Sequence, residues 1–175
     1  QLRVRRAEPE DHGKLIGCIN GWWGGRTMSP SLPKLFFVHF GATTLVAELE
    51  ESGPIIAFIC GFKSQTRPAE AYIHFAGVHP EHRSSGVGRR MYHEFFGAAR
   101  GLGCRQVSCV TSPVNTSSIA FHTRMGFDMV RDGNAVDEVG TDSGKTWIHR
   151  AYDGPGEDRI VFSMELGRDS RNEPS

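Results

Sequence analysis

The apolar residues of this chain recur in two spacings, one typical of buried strands and the other of amphipathic helices. Residues 72–78 are mostly apolar and favour a strand, which Pro80 ends because proline has no amide hydrogen to give to a neighbouring strand. In residues 87–100 the apolar positions recur at helical spacing. The pattern predicts a buried strand, a turn and an amphipathic helix in direct succession.

A second helix is predicted further along the chain. It starts at Asn115 or Thr116, has an apolar face through Ile119 and Phe121, and ends at Gly126. Strands and helices thus alternate, which favours an α/β or α+β fold with a mixed sheet flanked by helices.

Length and composition favour one compact domain. The chain has 175 residues, of which 38% are hydrophobic, and we expect a single domain over residues 1–166 with a polar, mobile tail over 167–175.

The formal net charge of zero does not favour a nucleic-acid partner. No apolar run approaches the roughly 20 residues of a membrane helix, so we expect no membrane partner. With no signal-peptide pattern and four cysteines expected to be free thiols, a cytoplasmic location is predicted.

A glycine-rich segment, Arg83-Ser-Ser-Gly-Val-Gly88, joins the predicted strand to the first helix. Helix N-termini present unpaired amide hydrogens and the positive end of the helix dipole. Gly86 and Gly88 have no side chains to keep a phosphate oxygen away from those amides. The spacing differs from the Walker loop and from the dinucleotide-binding fingerprint. We therefore predict a diphosphate site of another kind, the alternative being a glycine-lined turn without a ligand.

Segments 75–90 and 111–127 together resemble motifs A and B of the GCN5-related N-acetyltransferases (the GNAT family). The resemblance extends over most of the chain, in the family's order, with strands at 2–7, 44–48, 55–62 and 158–166 and a first helix after Pro9. It implies a mixed, mostly antiparallel central sheet. It also implies transfer of an acetyl group from acetyl-CoA, as co-substrate, to an amine.

The resemblance implies a set of residues that bind the co-substrate. The backbone amide of Val78 would hold the pantetheine arm and polarise the thioester carbonyl, and Gly77 is a predicted site for the bulge or close backbone approach that this opening of the strand requires. Arg83 would add charge at the diphosphate. The full predicted set is Val78, His79, Arg83, Ser84, Ser85, Gly86, Val87, Gly88, Arg89, Asn115 and Phe121.

His74 is the first candidate for a general base. Strand alternation predicts that it shares a face with Tyr72, Ala76 and Val78, and histidine accepts protons near neutral pH. Serotonin acetyltransferase-like members of the family carry a histidine at this point of the strand. The alternative is a structural histidine within the sheet. Glu48, on the adjacent strand, is the second candidate.

Tyr72 and His122 complete the catalytic candidates. Histone acetyltransferase-like members carry a glutamate where this chain has Tyr72, which argues against a histone-type site. The family usually has a tyrosine at position 122, and that tyrosine protonates the departing thiolate. An imidazolium at His122 would replace it, the alternative being a helix histidine beside the pantetheine.

The acceptor site is predicted near Trp22, Trp23 and Arg26. The two tryptophans would form an aromatic wall and Arg26 would bind a carboxylate, the alternative being that one tryptophan fills the core and the other shields it.

These patterns predict an acetyl-CoA-dependent N-acetyltransferase that works by direct attack of an amine, with a small-molecule acceptor favoured over a protein. No metal is expected, and a homodimer is left open. Two alternatives remain: a catalytically silent acyl-CoA-binding sensor, and a transferase with another acyl donor or a hydroxyl acceptor.

Overall fold

The structure is a computed structural model that describes residues 1–51, 53–133, 137–141 and 144–167. The described strands are β1 (Arg3–Arg6), β2 (Thr44–Glu48), β3 (Ile55–Lys63), β4 (Glu70–Val78), β5 (Gln106–Thr111), β6 (Asp128–Met129), β7 (Asp137–Thr141), β8 (Gly144–Ile148) and β9 (Ile160–Glu165). The described helices are α1 (Pro9–Ile16), α2 (Ile19–Trp22), α3 (Leu35–His39), α4 (Val87–Gly101) and α5 (Thr116–Met125). Every element predicted from the sequence has a counterpart among them.

The described chain divides into two compact units. One comprises Gln1–Arg105 together with Gly167, and the other Gln106–Leu166. The expectation of a single domain over residues 1–166 stays a prediction, and residues 168–175 of the predicted tail lie outside the described residues.

In the first unit the strands pair in the order β1-β2-β3-β4, and each pairing is antiparallel. One face of this sheet carries Val46, Phe58 and Cys60, which join a buried cluster with apolar residues of α1, α2 and α3. The other face packs against the amphipathic helix α4. Burial of apolar surface on both faces accounts for the almost wholly apolar sequence of β3.

β4 contains a bulge at His74. Cys60 of β3 lies opposite Phe75 and Gly61 lies opposite Ile73, so that His74 has no partner residue in the register. The extra residue reverses the alternation, because Phe75 and Gly77 then lie on the same face as Tyr72. The predicted face of Tyr72, His74, Ala76 and Val78 is therefore wrong, and the bulge lies at His74 instead of Gly77.

Gly61 accommodates this bulge. A Cβ atom at Gly61 would lie 2.2 Å from the carbonyl oxygen of Tyr72 and 2.8 Å from the ring of Phe95. Gly77 also permits a close approach, but to side chains instead of backbone, since a Cβ there would lie 2.5 Å from Cη2 of Trp23. Each glycine meets a packing demand that no larger residue satisfies without movement.

In the second unit β9 pairs with β5 and with β6, and β7 pairs with β8, all antiparallel. The hairpin β7–β8 falls in the stretch 132–156. Among the described residues, the strands of each unit pair antiparallel and helices accompany them, in agreement with the mostly antiparallel sheet flanked by helices that the sequence predicts. No helix among the described residues is long and apolar enough to cross a membrane.

Candidate active site

At the end of β4 a backbone amide points away from β3. The amide of His79 donates to the carbonyl of Ile56 at 2.7 Å, which makes these two residues a hydrogen-bonded pair across β3 and β4. Because such pairs alternate along an antiparallel ladder, the next pair, Ala57 and Val78, exchanges no hydrogen bonds. Both the N–H and the C=O of Val78 therefore point away from β3, as polarisation of a carbonyl by that amide requires.

The segment after β4 turns sharply into α4. The carbonyl groups of His79 and Pro80 accept hydrogen bonds from His82 and Arg83 in a tight turn, and the ring of His79 accepts one from the amide of Glu81 at 3.3 Å. The hydroxyl of Ser85 donates to the carbonyl of His82. Ser84 has a φ of 60°, which is uncommon for a residue with a side chain.

Gly86 opens α4 in the left-handed conformation, with a φ of 85° and no atom within 4 Å of the position of a Cβ. The first hydrogen bond of the helix runs from Arg90 to the carbonyl of Gly86. The amides of Val87, Gly88 and Arg89 therefore have no partner within the helix. No side chain caps this end, and its first turn contains no acidic residue. This helix terminus fits an anion, and Arg89 is the exposed cation closest to it in sequence.

Arg83 binds backbone carbonyls. Its Nε donates to the carbonyl of Val78 at 3.0 Å, and its Nη2 donates to the carbonyl of Trp22. Its guanidinium also lies over the ring of Trp23, 5.7 Å from the ring centroid. The prediction that Arg83 adds charge at the diphosphate is thus not supported by its contacts, which connect the end of β4 to α2.

His74 is exposed and held in one orientation. Its Nε2 lies 2.8 Å from the carbonyl oxygen of Ser31, and its ring stacks on Phe36 with centroids 4.6 Å apart. Because a carbonyl only accepts, Nε2 carries the hydrogen, which leaves Nδ1 with the lone pair in the neutral ring. At a strand rise of about 3.3 Å per residue, His74 lies about 13 Å from Val78 along β4. This distance is too long for a direct hydrogen bond between His74 and a group bound at Val78.

Glu48 is buried and its carboxylate pairs with Arg5, and a role as catalytic base stays a prediction. Its Oε1 accepts a hydrogen bond from Nη2 of Arg5 at 2.6 Å, and Nη1 of Arg5 also binds Asp11 at 2.7 Å. Burial raises the pKa of Asp11, but the hydrogen bonds from Arg5 and from the Glu8 amide outweigh it and lower that pKa to about 2. Glu48 is 2% exposed, so its carboxylate has little contact with solvent.

His122 lies within the second unit as a buried residue. Its Nδ1 lies 2.8 Å from the carbonyl oxygen of Ser118, and its ring stacks on Phe162 with centroids 5.1 Å apart. Burial lowers the pKa of His122, although the hydrogen bond to Ser118 opposes the shift. This shift disfavours the charged ring that the predicted acid role requires, and that role stays a prediction.

The other predicted residues of this unit have structural contacts. Oδ1 of Asn115 accepts from the amide of Ser118 at 3.1 Å, which confirms that Asn115 caps α5. Phe121 is half-buried, and its ring packs edge-on against His122. In the first unit, the ring of Tyr72 lies 5.5 Å from that of Phe62.

The two tryptophans differ in exposure. Trp22 is 4% exposed and packs against Phe58 and His79, and its role as a substrate contact stays a prediction. Trp23 is half-buried and packs on Phe75, with centroids 5.3 Å apart. One tryptophan fills the core and the other covers it, which is the stated alternative. Arg26 is exposed, as a carboxylate-binding residue needs to be.

Sequence reasoning missed the partners that hold His74 and Val78 in place. Ser31 and Phe36 lie far from His74 in sequence, and no local sequence pattern predicts that they contact it. Gly61 carries a weak signal, because a glycine inside an apolar strand marks a bulge or a close approach.

Comparisons with known proteins agree with this geometry. The family model for the acetyltransferase (GNAT) family matches residues 22–127. A GNAT-family protein from Desulfovibrio desulfuricans has a TM-score of 0.71 and 18% identity, over 95% of this chain and 100% of that one. A comparison with curated proteins finds no match.

Two further solved structures contain the coenzyme. Diaminobutyrate acetyltransferase EctA from Paenibacillus lautus, in complex with L-2,4-diaminobutyric acid and coenzyme A, has a TM-score of 0.65 and 19% identity over 97% of this chain and 99% of that one. YncA from Salmonella typhimurium, with acetyl-CoA, has a TM-score of 0.63 and 16% identity over 99% of both chains. These likenesses show the fold, and the family model covers more than half of the chain. The chain belongs to the GNAT acetyltransferase family.

Proposed function

We propose that the protein transfers the acetyl group of acetyl-CoA to an amine of a small molecule. The observation that carries this proposal is the start of α4, where Gly86 at a φ of 85° opens a helix with no capping side chain and no acid in its first turn. Three unpaired amides and the positive helix end suit a diphosphate. We assign its binding to the amides of Val87, Gly88 and Arg89, with the Arg89 side chain adding charge.

The co-substrate supplies an acetyl group activated as a thioester. In the proposed reaction the amide of Val78 donates to the carbonyl oxygen as negative charge develops there, the role of an oxyanion hole. The C–N bond forms as the C–S bond breaks. The proton of the amine passes through water to Nδ1 of His74, and the thiolate takes a proton from solvent, which suits a group whose pKa is near 8.5.

His74 is suited to this role by its position. The contact with Ser31 sets the tautomer, stacking on Phe36 sets the ring plane, and exposure keeps Nδ1 in contact with water. A base that is already oriented loses less entropy in the transition state.

The acceptor is proposed to be a small amine. Trp23 and Phe75 offer a half-buried aromatic surface, and Arg26 offers an exposed cation for a carboxylate. EctA, which shares the fold, binds L-2,4-diaminobutyric acid.

We further propose a cytoplasmic location, which the four free cysteines support. No nucleic-acid or membrane partner is proposed, and a homodimer stays a prediction.

The test is thiol release from acetyl-CoA with polyamines, aminoglycosides, amino acids and short peptides as acceptors. Release with one class of small amine supports the proposal.

The diphosphate site is tested separately. Gly86→Glu should abolish CoA binding, because the carboxylate would occupy the anion position. Gly86→Ala is the control, since it shares the positive-φ strain without the charge. Equal CoA affinity in the Glu variant and the unaltered protein would remove the diphosphate assignment. CoA binding without release across the panel would favour a sensor, another acyl donor or a hydroxyl acceptor.

A further inference from the structure

Arg83 holds the residue that we propose to polarise the thioester. Its Nε donates to the carbonyl of Val78 at 3.0 Å, and its Nη2 donates to the carbonyl of Trp22. We infer that Arg83 is a positioning residue for acyl transfer, which fixes the backbone of Val78 and connects it to α2. This inference rests on the proposed function, because it concerns the same carbonyl-binding amide.

The geometry of an extended strand supports this role. Val78 and Ala57 of β3 lie opposite each other but exchange no hydrogen bonds. The N–H and the C=O of Val78 therefore both point to the edge of β4 that faces away from β3. On one side the amide of His79 is bound to Ile56 at 2.7 Å. Arg83 supplies the second hold, on the carbonyl of Val78 itself. Together the two bonds hold the peptide group that joins Val78 to His79, which directly follows the one that carries the Val78 amide.

The guanidinium also brings positive charge to this edge. A carbonyl oxygen bound by the Val78 amide would lie close to the guanidinium of Arg83. The reason is that the amide and the carbonyl of Val78 point to the same edge of β4, and Arg83 binds that carbonyl. Arg83 is exposed, so solvent screens part of this attraction. The charge still acts in the direction that favours negative charge on that oxygen.

The second bond connects this edge to the predicted acceptor side. Trp22 packs on His79 with centroids 5.6 Å apart, and the guanidinium lies over Trp23 at 5.7 Å. Trp23 in turn packs on Phe75 of β4 at 5.3 Å. Arg83 is thus one of several side chains that connect α2 to the end of β4, and it is the one that binds the carbonyl of Val78.

The contacts separate this role from diphosphate binding. Two of the donor groups of Arg83 are engaged with carbonyls, whereas Arg89 stands in the first turn of α4 beside the unpaired amides. Loss of Arg89 should therefore weaken CoA binding. Loss of Arg83 should lower turnover at saturating acetyl-CoA.

The experiment compares Arg83→Gln, Arg83→Lys and Arg89→Gln in the full chain. Arg67→Gln serves as a matched control, since Arg67 is exposed and pairs only with nearby Glu70 among its described contacts. For each protein we would measure kcat, KM for acetyl-CoA, the Kd of CoA and the melting temperature. The amide resonance of Val78 would be followed during titration with acetyl-CoA, a readout that needs no turnover.

Arg83→Gln should lower kcat about tenfold, less than the 10²–10³ expected for loss of a direct oxyanion donor. The Kd of CoA should stay within about twofold, and the Val78 amide should lose most of its response to acetyl-CoA. Arg83→Lys, which keeps the charge, should recover part of kcat. Arg89→Gln should raise KM and Kd with little change in kcat, and Arg67→Gln should match the unaltered protein.

Two results separate the failure of this inference from that of the proposed function. Equal kcat and an equal Val78 response in Arg83→Gln would overturn the role of Arg83 while the acetyltransferase stands. A fall in melting temperature with equal losses in kcat and CoA affinity would also overturn it, because that marks a purely structural residue. The converse result is also informative. If the unaltered protein transfers no acetyl group but its Val78 amide responds to acetyl-CoA, and Arg83→Gln abolishes that response, the proposed function is overturned. The positioning role of Arg83 is then supported.

Discussion

His74 and His122 are the same residue type and were both predicted to move protons, yet their surroundings differ sharply. On β4, His74 is exposed, and a carbonyl and an aromatic ring orient it. On α5, His122 is 7% exposed, and burial lowers its pKa. The first is in contact with water, whereas burial favours the neutral form of the second. Exposure and partners, more than residue type, decide which histidine can serve as a base.

The largest effect is expected at His74. His74→Ala should lower kcat by about 10²–10⁴, the usual contribution of a general base, while the Kd of acetyl-CoA stays unchanged. His74→Gln should lose as much, because its amide can still donate to Ser31 but cannot take a proton. The exposed His93 on α4 provides the control, since His93→Ala should retain full turnover. Steady-state kinetics with near-normal rates in both His74 variants would end the comparison in favour of a structural histidine.

A large loss of stability is expected at Arg5, which tests whether Glu48 resembles His122 as a buried and already partnered group. Arg5→Met removes the cation shared by Asp11 and Glu48, whose side chains are 1% and 3% exposed. Loss of one partner of a buried ion pair costs about 3–5 kcal/mol.

Urea denaturation measures this loss, with Arg3→Met as the control. Arg3 pairs with Glu51 at the surface, so its loss should cost less than about 1 kcal/mol. A similar small cost in Arg5→Met would show that the buried carboxylates do not depend on Arg5.

A smaller effect is expected at Gly61, which tests whether the bulge is what places His74. In Gly61→Ala the new methyl group would lie 2.2 Å from the carbonyl oxygen of Tyr72, so the bulge must move. Overpacking of this kind costs about 1–3 kcal/mol, and turnover should fall with it. The control is Gly97→Ala on α4, where no atom lies within 4 Å of the Cβ position. Denaturation and kinetics that match the control would show that the bulge tolerates a side chain.

The smallest effect is expected at His122. Because its pKa is lowered in the folded state, the unfolded chain binds the proton more readily, and stability decreases as the pH falls below the ordinary value of 6.5. His122→Phe should reduce this loss while turnover at pH 7 stays within about threefold, the scatter expected for a group outside the chemistry.

Thermal melts between pH 7 and pH 5 measure the slope. An unchanged slope would mean that another group causes the acid sensitivity, and a loss of turnover of about a hundredfold or more would restore His122 to the chemistry.

The order of strands and helices and the glycine-rich start of α4 were largely predictable, because the sequence patterns that mark them are local. Apolar spacing marked β4 and α4, and Gly86 and Gly88 marked the turn between them. The candidate base was predictable as a residue but not as a geometry, since one extra residue at position 74 reverses the strand's faces. The surroundings of Glu48, His122 and Trp22 could not be predicted for a common reason, since each depends on contacts with distant residues.

By itself the sequence determined the family, the order of its elements and the glycine-rich helix start. Those features depend on residue types and spacings within one or two turns of the chain. Only the tertiary structure decided that His74 lies on a bulge, that Arg5 neutralises Glu48, that His122 is buried on Phe162 and that Arg83 binds Val78. Strand register and burial arise from pairing and packing between distant segments, and they decide which polar groups stay in contact with water.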